Sequence, residues 1–246
     1  VCGIRSTGRI CTDLAKALEE QGHQVKIAYG REEVPPQYGN YAVAIGTQRD
    51  IFLHGIKARL FDASGLGSKN ATIKFIKWVK EYDPDIIHLH NIHGYYIHIG
   101  VLFDYLRVSG KKIIWTLHDA WAFTGHGAFC EGSNCWRWKD GCYDCPNKKR
   151  YPSSCVDRSK ANWLLKKRLF QGISDLTLIT PSQWLADLVK EIHRRGMKVI
   201  LDGVFNHCGS FNKWLDREGF YAASGEYEPG AYQSEESPYR NFFKFQ

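Results

Sequence analysis

Short apolar runs alternate with amphipathic stretches along most of the chain. The short runs predict strands that are buried on both faces, and apolar residues at helical spacing predict helices. The predicted strands cover residues 25–29, 41–46, 85–90, 111–117, 176–180 and 198–201. The predicted helices cover residues 6–20, 68–81, 96–108, 158–171 and 182–190. This alternation is typical of an α/β fold, in which a parallel sheet carries helices on both faces.

The first predicted helix follows a turn that contains glycine, and Ser6 or Thr7 is expected to cap its N-terminus. A helix N-terminus offers free backbone N–H groups and the positive end of the helix dipole, which together suit a diphosphate. The alternative is an ordinary surface helix that Ser6 caps. A diphosphate at this turn would be approached closely by the backbone at Gly3 and Gly8, and Arg5 or Arg9 would add positive charge.

Polar residues follow two of the predicted central strands. His88, His90 and His93 lie in or just after the third strand, and His118 and Asp119 follow the fourth. Open parallel sheets bind their ligands outside the carboxyl ends of the strands, so these side chains are candidates for a site. Histidines in such places are also often structural. A structural role is the expectation for His88 and His90, whereas His93 and His118 are the better candidates for a site.

Four of the eight cysteines cluster in an irregular insertion at 120–155. Their spacing is C-x4-C-x6-C-x2-C, and the second half fits one side of a zinc site with four thiolates. A zinc ion would order a loop that has little apolar core of its own. Local disulfides and free thiols are the alternatives. The four residues, which we expect to lie close together, are Cys130, Cys135, Cys142 and Cys145.

Composition and charge narrow the classes of protein. Hydrophobic residues make up 43% of the chain and charged residues 24%, which excludes disordered and fibrous classes. No apolar run reaches the roughly 18 residues of a membrane span. The formal net charge of +7 favours anionic partners such as sugar nucleotides, phospholipid surfaces or nucleic acid, although a solvated basic surface gives the same excess. The chain starts at Val1 and not at methionine, so we expect a fragment.

Five stretches in a fixed order carry a family resemblance. They are Gly3 to Arg9, LAKALEEQGHQV at 14–25, PDIIHLHNIHGYY at 84–96, WTLHDAWAFTGH at 115–126 and TPSQWLADLV at 180–189. Together they resemble the N-terminal domain of retaining glycosyltransferases of family 4, which have the GT-B fold. The resemblance implies that residues 1–190 form the Rossmann-like N-terminal half of such a fold, without its first strand.

The family resemblance also implies chemistry. It implies transfer of a hexose from a nucleotide-sugar donor to a saccharide or lipid-linked acceptor, with retention, in polysaccharide or glycolipid synthesis. His118 would lie beside the donor sugar, and His118 and Asp119 would be catalytic. His93 is a candidate for the acceptor site by its position beyond the strand end, with a structural role as the alternative. The implied location is the cytoplasm, with peripheral contact at the inner face of the membrane. Nucleic acid is not an implied partner.

The last part of the chain follows a different pattern. EIHRRGMKVILDGVFNHCG at 191–209 and GAYQSEESPYRNFFKF at 230–245 resemble pieces of the catalytic barrel of family 13 glycoside hydrolases, the α-amylase clan. That resemblance implies that Asp202, Asn206 and His207 bind calcium or shape a sugar subsite, with calcium expected only if this part were complete. Hydrolysis needs two carboxylates that face one sugar, and we expect no such site in the tail.

These resemblances predict a chimera. We expect a glycosyltransferase domain over 1–190 and an α-amylase-like fragment over 191–246, joined near 187–192. Residues 6–203 should form one parallel-sheet domain, and residues 209–246 should lack a regular fold. The leading hypothesis is the acceptor-side domain of a glycosyltransferase, truncated and inactive as it stands. A glycoside hydrolase and a non-catalytic sugar- or zinc-binding module are the alternatives.

Overall fold

The chain divides into two compact units, Val1–Leu201 and Asp202–Gln246. In a computed structural model of the protein, the described residues of the first unit are 1–128, 135–180 and 198–201. Those of the second unit are 214–217, 219, 221, 223 and 228–240. The described α-helices and β-strands all lie in the first unit, which therefore provides the scaffold for the candidate site.

Helices and strands alternate through the first unit, as the apolar pattern predicts. The helices are α1 (Arg5–Glu20), α2 (Gln48–Phe61), α3 (Lys69–Tyr82), α4 (Ile99–Val108) and α5 (Ser159–Leu169). The strands are β1 (Ile27–Tyr29), β2 (Ala42–Ala44), β3 (Ile86–Leu89), β4 (Lys112–Thr116), β5 (Leu176–Thr180) and β6 (Lys198–Leu201). The predicted helix at 182–190 lies outside the described residues. Within the described part of the chain, no helix has the length and apolar character of a membrane span.

All described strand pairs are parallel, which confirms the predicted kind of sheet. They form two sheets rather than the expected single one, because β1 pairs with β2 while β3, β4, β5 and β6 follow one another. Strands β1 and β2 have three residues each. Just after β1, the side chain of Tyr96 packs against Gly30, and a Cβ on residue 30 would overlap that side chain. In the larger sheet Leu89 lies opposite Trp115, so β3 and β4 end side by side.

Strand β6 confirms the strand predicted at 198–201. It pairs in parallel with β5, with Val199 opposite Leu178. Strand β6 therefore forms one edge of the four-stranded sheet of the first unit.

The core of the first unit is rich in aromatic rings. Phe103 of α4 and Ile113 of β4 are fully buried. The Phe103 ring centroid lies 5.5 Å from that of Trp115 and 4.5 Å from that of Phe170. Burial of each such side chain contributes about 1.5–3 kcal/mol to folding. This packing fixes β4 against α4 and so positions the residues that follow β4.

Helix α2 is missing from the predicted elements. Its apolar residues do not form one buried stripe, since Phe52 is 69% and Leu53 63% exposed. Its N-terminus carries a capping box: the N–H of Asp50 donates to the hydroxyl of Thr47, and the carboxylate of Asp50 accepts from the N–H of Thr47. That pair of residues is the sequence signal that identifies the helix.

The described residues of the second unit lie mostly in turns, with Ala223 and Arg240 in 3₁₀ conformation, and the expectation that the tail lacks a regular fold stays a prediction. Asp216 is buried, and its carboxylate accepts a hydrogen bond from the N–H of Tyr221. The N–H of Ala231 donates to the carbonyl of Trp214 at 2.7 Å. The unit therefore has local order that rests on turns.

Candidate active site

Three histidines form a row along the edge of the sheet where β3 and β4 end. Nε2 of His88 is 2.8 Å from the hydroxyl of Thr116, and Nδ1 of His90 is 3.0 Å from Nε2 of His118. The ring centroids of His88 and His90 are 4.2 Å apart, and those of His90 and His118 are 5.3 Å apart. The indole N–H of Trp115 donates to the carbonyl of His90. The two strands therefore bring this row together from distant parts of the sequence.

His93 and Asp119 pair at the same edge. Nε2 of His93 is 2.8 Å from Oδ2 of Asp119, and the two side chains are 12% and 10% exposed. Oδ1 of Asp119 accepts a hydrogen bond from the N–H of Trp121 at 2.9 Å. Because an ionised carboxylate only accepts, Nε2 of His93 carries the proton of this bond, and Nδ1 is the ring nitrogen on the side away from Asp119.

A buried lysine holds the turn that follows Asp119. Nζ of Lys166 in α5 donates to the carbonyls of Trp121 and Thr124 at 2.7 and 3.1 Å, and it lies 3.6 Å from the centre of the Trp121 ring. Burial lowers the pKa of Lys166 to about 7. The Trp121 ring in turn lies against His93, with centroids 5.3 Å apart. Lys166 therefore acts on the site through Trp121.

Burial keeps the row of histidines uncharged at neutral pH. It lowers the pKa of His88 to about 4 and that of His90 to about 3, in each case with a smaller contribution from His118. Burial also lowers the pKa of His118, against the opposing effect of Asp119. For Asp119 itself burial raises the pKa, but the hydrogen bonds and positive charge around it outweigh burial and keep the pKa below the usual value. The edge therefore presents neutral imidazoles beside a carboxylate.

His90, His93, His118 and Asp119 line a narrow cleft of about 10 Å³ at the carboxyl ends of β3 and β4, with room for about one water molecule. In either tautomer of the His90–His118 pair, Nδ1 of His118 is the nitrogen that stays available to a ligand. A neutral imidazole can donate or accept a hydrogen bond, which suits the hydroxyls of a sugar. A hydroxyl group that enters the cleft would therefore meet the neutral imidazoles of His90 and His118.

The expected caps of the first helix are wrong. Ile4 occupies the capping position and makes no side-chain hydrogen bond there. Ser6 and Thr7 already lie within the first turn, and the hydroxyl of Thr7 accepts a hydrogen bond from Nδ2 of Asn91 at 3.4 Å. That contact brings the start of α1 next to the loop after β3.

The two glycines of the N-terminal turn have packing reasons to be glycine. Gly3 has a φ of +73°, and a Cβ there would lie 2.2 Å from the ring of Tyr38. A Cβ on Gly8 would lie 3.2 Å from the backbone nitrogen of Gly3, which itself donates to the Gly8 carbonyl. Diphosphate binding at this turn stays a prediction.

The two arginines of the same turn differ in their surroundings. Nε of Arg5 donates to both carboxylate oxygens of Glu32, at 2.8 and 2.9 Å. This bond lowers the pKa of Glu32. Arg9 is exposed on the first part of α1. Arg9 is therefore the better placed of the two for an incoming anion.

The cysteine insertion is described only in part. Cys130 lies outside the described residues, whereas Cys135, Cys142 and Cys145 lie within them. Sγ of Cys142 accepts a hydrogen bond from the N–H of Gly125 at 3.2 Å, and burial raises the pKa of Cys145 to about 11. Over the described ranges, no three His, Cys, Asp or Glu side chains are arranged to hold a metal ion. Zinc binding by the four cysteines stays a prediction.

The residues of the α-amylase signature cannot be placed. Asp202, Asn206 and His207 lie outside the described residues, so calcium binding in the tail also stays a prediction.

A second aspartate–histidine pair lies in the interior, and sequence reasoning missed it. Oδ1 of Asp62 is 2.6 Å from Nδ1 of His126, with side-chain exposures of 2% and 0%. Oδ2 of Asp62 accepts from the N–H of Arg158, and the Asp62 carbonyl accepts from Nδ2 of Asn162. The pair therefore joins the end of α2 to the start of α5. Lys166 was missed too, because a single basic residue in a basic helix gives no signal.

Comparison with known proteins gives two family matches. Glycosyltransferase Family 4 matches residues 7–204, and the α-amylase catalytic domain matches residues 179–246. The two matches overlap over 179–204, the region of the expected junction. No solved structure matches the chain.

Individual relatives follow the same division. WcaC of Escherichia coli strain K12, named as a glycosyl transferase of colanic acid biosynthesis, is 30% identical over 210 residues, which are 79% of this chain and 50% of WcaC. An amylopullulanase of Thermoanaerobacter thermohydrosulfuricus is 40% identical over 63 residues, 23% of this chain and 4% of that protein. The α-amylase SusG of Bacteroides thetaiotaomicron is 34% identical over 77 residues, 30% of this chain and 9% of SusG.

The chain spans about half the length of WcaC and much smaller parts of the two amylases. The parallel sheets, the site at the strand ends and a match that covers most of the sequence agree with one another. The chain therefore belongs to glycosyltransferase family 4.

Proposed function

We propose that this chain is the acceptor-side domain of a retaining glycosyltransferase that uses a nucleotide sugar. The observation that carries the proposal is the pairing of His90 with His118 and of His93 with Asp119 at the ends of two adjacent parallel strands. Such strand ends are where open α/β sheets bind their ligands. Membership of family 4 supports glycosyl transfer, and the name of WcaC supports polysaccharide synthesis as its setting.

In this proposal His118 contacts the donor sugar. Its Nδ1 makes a hydrogen bond to a sugar hydroxyl while Nε2 stays bonded to His90. The neutral imidazole positions the sugar without repelling the positive charge that develops at the anomeric carbon when the bond to the nucleotide diphosphate breaks. The lowered pKa of His118 supports this role.

His93 and Asp119 act on the acceptor side in the same proposal. Nδ1 of His93 accepts a hydrogen bond from the acceptor hydroxyl and orients its oxygen towards the anomeric carbon. Asp119 works through His93, since both of its carboxylate oxygens are engaged by His93 and Trp121. Asp119 is therefore a positioning residue, although the sequence predicted it as catalytic. The donor diphosphate would lie at the N-terminal turn, near the exposed Arg9.

We extend the proposal to the rest of the chain. The overlap of the two family matches over 179–204 supports a chimera that joins a glycosyltransferase domain to an α-amylase-like fragment. The chain would need a second, donor-binding domain for turnover, because a cleft between two domains loses one wall without it. The proposed location is the cytoplasmic face of the membrane, where lipid-linked acceptors would be within reach.

A fusion enzyme tests the proposal. Residues 1–190 are joined to the C-terminal half of WcaC, and transfer from labelled nucleotide sugars to a bacterial lipid and saccharide extract is measured. We expect transfer, and we expect His118→Gln to reduce it by roughly 10²–10⁴-fold. The matched control is His23→Gln, because His23 is an exposed histidine outside the site.

Three outcomes would contradict the proposal. A folded fusion protein that binds sugars but transfers none would favour a non-catalytic binding module. Full transfer by the His118→Gln variant would show that His118 takes no part in the reaction. Cleavage of maltooligosaccharides by the original chain would favour the hydrolase alternative.

A further inference from the structure

His90 is held between its two neighbours in the row of histidines. The centroid of its ring lies 4.2 Å from that of His88 on one side and 5.3 Å from that of His118 on the other. Nε2 of His88 is 2.8 Å from the hydroxyl of Thr116, and the indole N–H of Trp115 donates to the carbonyl of His90. Contacts from both β3 and β4 therefore fix the position of the His90 ring.

The contact between His90 and His118 joins unlike nitrogens. Nδ1 of His90 lies 3.0 Å from Nε2 of His118, which is a hydrogen-bond distance. Burial lowers the pKa of both rings, that of His90 to about 3, so both rings are neutral near pH 7. A neutral ring has one N–H, so one nitrogen of the pair donates and the other accepts. The hydrogen bond therefore couples the tautomers of the two rings.

The coupling allows two arrangements. If Nε2 of His118 donates, both rings carry their protons on Nε2, and Nδ1 of His118 is bare. If Nδ1 of His90 donates, both rings carry their protons on Nδ1 instead. The form with the proton on Nε2 is the more stable form of a neutral histidine, and the first arrangement gives it to both rings at once. The hydrogen bond of one nitrogen thus sets what the other nitrogen of His118 offers a ligand.

We propose that His90 is a positioning residue, which holds the proton of His118 on Nε2 and so presents Nδ1 of His118 to the ligand as a hydrogen-bond acceptor. This inference rests on the proposed function, because it states how His118 meets the donor sugar. A bare ring nitrogen accepts from a hydroxyl but offers nothing to an oxygen that only accepts, such as that of an ionised diphosphate. The group that His118 contacts is therefore a sugar hydroxyl and not the diphosphate of the nucleotide sugar.

Two substitutions separate this role from simple packing. Phenylalanine at position 90 would fill a similar volume beside His88 but would offer no acceptor to His118. The N–H on Nε2 of His118 would then lose its partner, and its proton would move to Nδ1 on the cleft side. Asparagine at position 90 has an amide oxygen near the place of Nδ1, which can accept from the same N–H.

Nitrogen-15 NMR of the full chain, labelled at its histidines, tests the proposal. We expect His118 to have a protonated Nε2 and a bare Nδ1, with scalar coupling across the hydrogen bond to Nδ1 of His90. The signals of His118 are those that disappear in His118→Gln. This measurement on the unmodified chain determines the tautomer even where a substitution at position 90 prevents folding.

Matched variants identify the residue that sets the tautomer. His90→Phe should move the proton of His118 to Nδ1, whereas His90→Asn should leave it on Nε2. The control is His88→Phe, which removes a ring of the same row that contacts Thr116 and makes no hydrogen bond to His118, so the His118 tautomer should stay unchanged. Circular dichroism checks that every variant is folded.

The fusion enzyme gives a second readout. His90→Phe should reduce kcat by roughly 10²-fold, because His118 no longer orients the donor sugar through an accepting nitrogen. His90→Asn should restore most of the transfer. A residue that served packing alone would show the opposite order, since phenylalanine resembles the histidine ring more closely than asparagine does.

Three results would overturn the proposal. They are a protonated Nδ1 on His118 in the unmodified chain, an unchanged His118 tautomer in folded His90→Phe, and full transfer by the His90→Phe fusion enzyme. The first two are measured without substrate, so they do not depend on turnover. Sugar transfer by a chain whose His118 has the other tautomer would overturn this inference alone. The expected tautomers in a fusion enzyme without any transfer would instead overturn the proposed function.

Discussion

Two aspartate–histidine pairs with similar contacts lie in different surroundings. His93 and Asp119 are 2.8 Å apart at the ends of the central strands and border a cleft. His126 and Asp62 are 2.6 Å apart with exposures of 0% and 2%, and further hydrogen bonds to the carboxylate and carbonyl of Asp62 join two helices. The first pair lines a cleft at the strand ends, whereas the second is enclosed by the protein.

The difference shows that pair geometry alone does not identify a catalytic residue. Breaking a fully buried pair removes the partner of a group that water cannot reach, so stability is lost. Breaking a pair at a cleft leaves a group that water can still solvate, so the main loss is in the orientation of the ring. Each prediction below tests one side of this contrast.

The largest effect should follow the loss of the buried pair. Asp62→Ala should lower the free energy of unfolding by about 3–5 kcal/mol, because His126 and the N–H of Arg158 lose a buried partner. Urea unfolding measures the change. The control is Asp104→Ala, an exposed partner of Arg107 that should contribute less than about 0.5 kcal/mol. Equal losses in the two variants would contradict the contrast.

Acid should destabilise the fold through buried histidines whose hydrogen-bond partners are not carboxylates. His54 is buried, and its Nε2 accepts from the N–H groups of Gly65 and Gly67, which requires the neutral ring. Burial lowers its pKa to about 4. A lowered histidine pKa gives stability that is complete above the unfolded value of about 6.5 and is lost as pH falls towards the folded value.

The pH prediction is therefore a loss of about 2 kcal/mol between pH 7 and pH 5 from His54 alone, with further loss from His88 and His90. Urea unfolding at a series of pH values measures it. The exposed His23 serves as the control, since His23→Gln should leave the slope unchanged. Stability that stays flat over this range would show that these rings are protonated in the fold.

A smaller effect on stability, about 1 kcal/mol, is expected for Asp119→Asn, because the pair borders the cleft. The expected change lies in the tautomer. The amide oxygen can still accept from Trp121, so the amide NH₂ would face His93 and require Nε2 to become an acceptor. The proton would then move to Nδ1. Nitrogen-15 chemical shifts of the ring report this directly, and an unchanged tautomer would refute the role of Asp119.

The strands and the row of histidines could be predicted from the sequence because both depend on local patterns. Apolar runs identify buried strands, and adjacent parallel strands must bring their following residues together, as happens for His90 and His118. Helix α2 lacks a buried apolar stripe, so periodicity does not reveal it. Nor does any local pattern join Asp62 to His126, since those residues are 64 positions apart.

The central claim is that Asp119 serves transfer and Asp62 serves folding. The most direct measurement compares Asp119→Asn and Asp62→Asn in the fusion enzyme, recording sugar transfer per folded molecule and the free energy of unfolding. The account predicts that Asp119→Asn loses transfer by roughly 10²-fold or more while most of the stability remains, and that Asp62→Asn loses stability while the folded molecules transfer normally. Parallel losses of transfer and stability in both variants would contradict it.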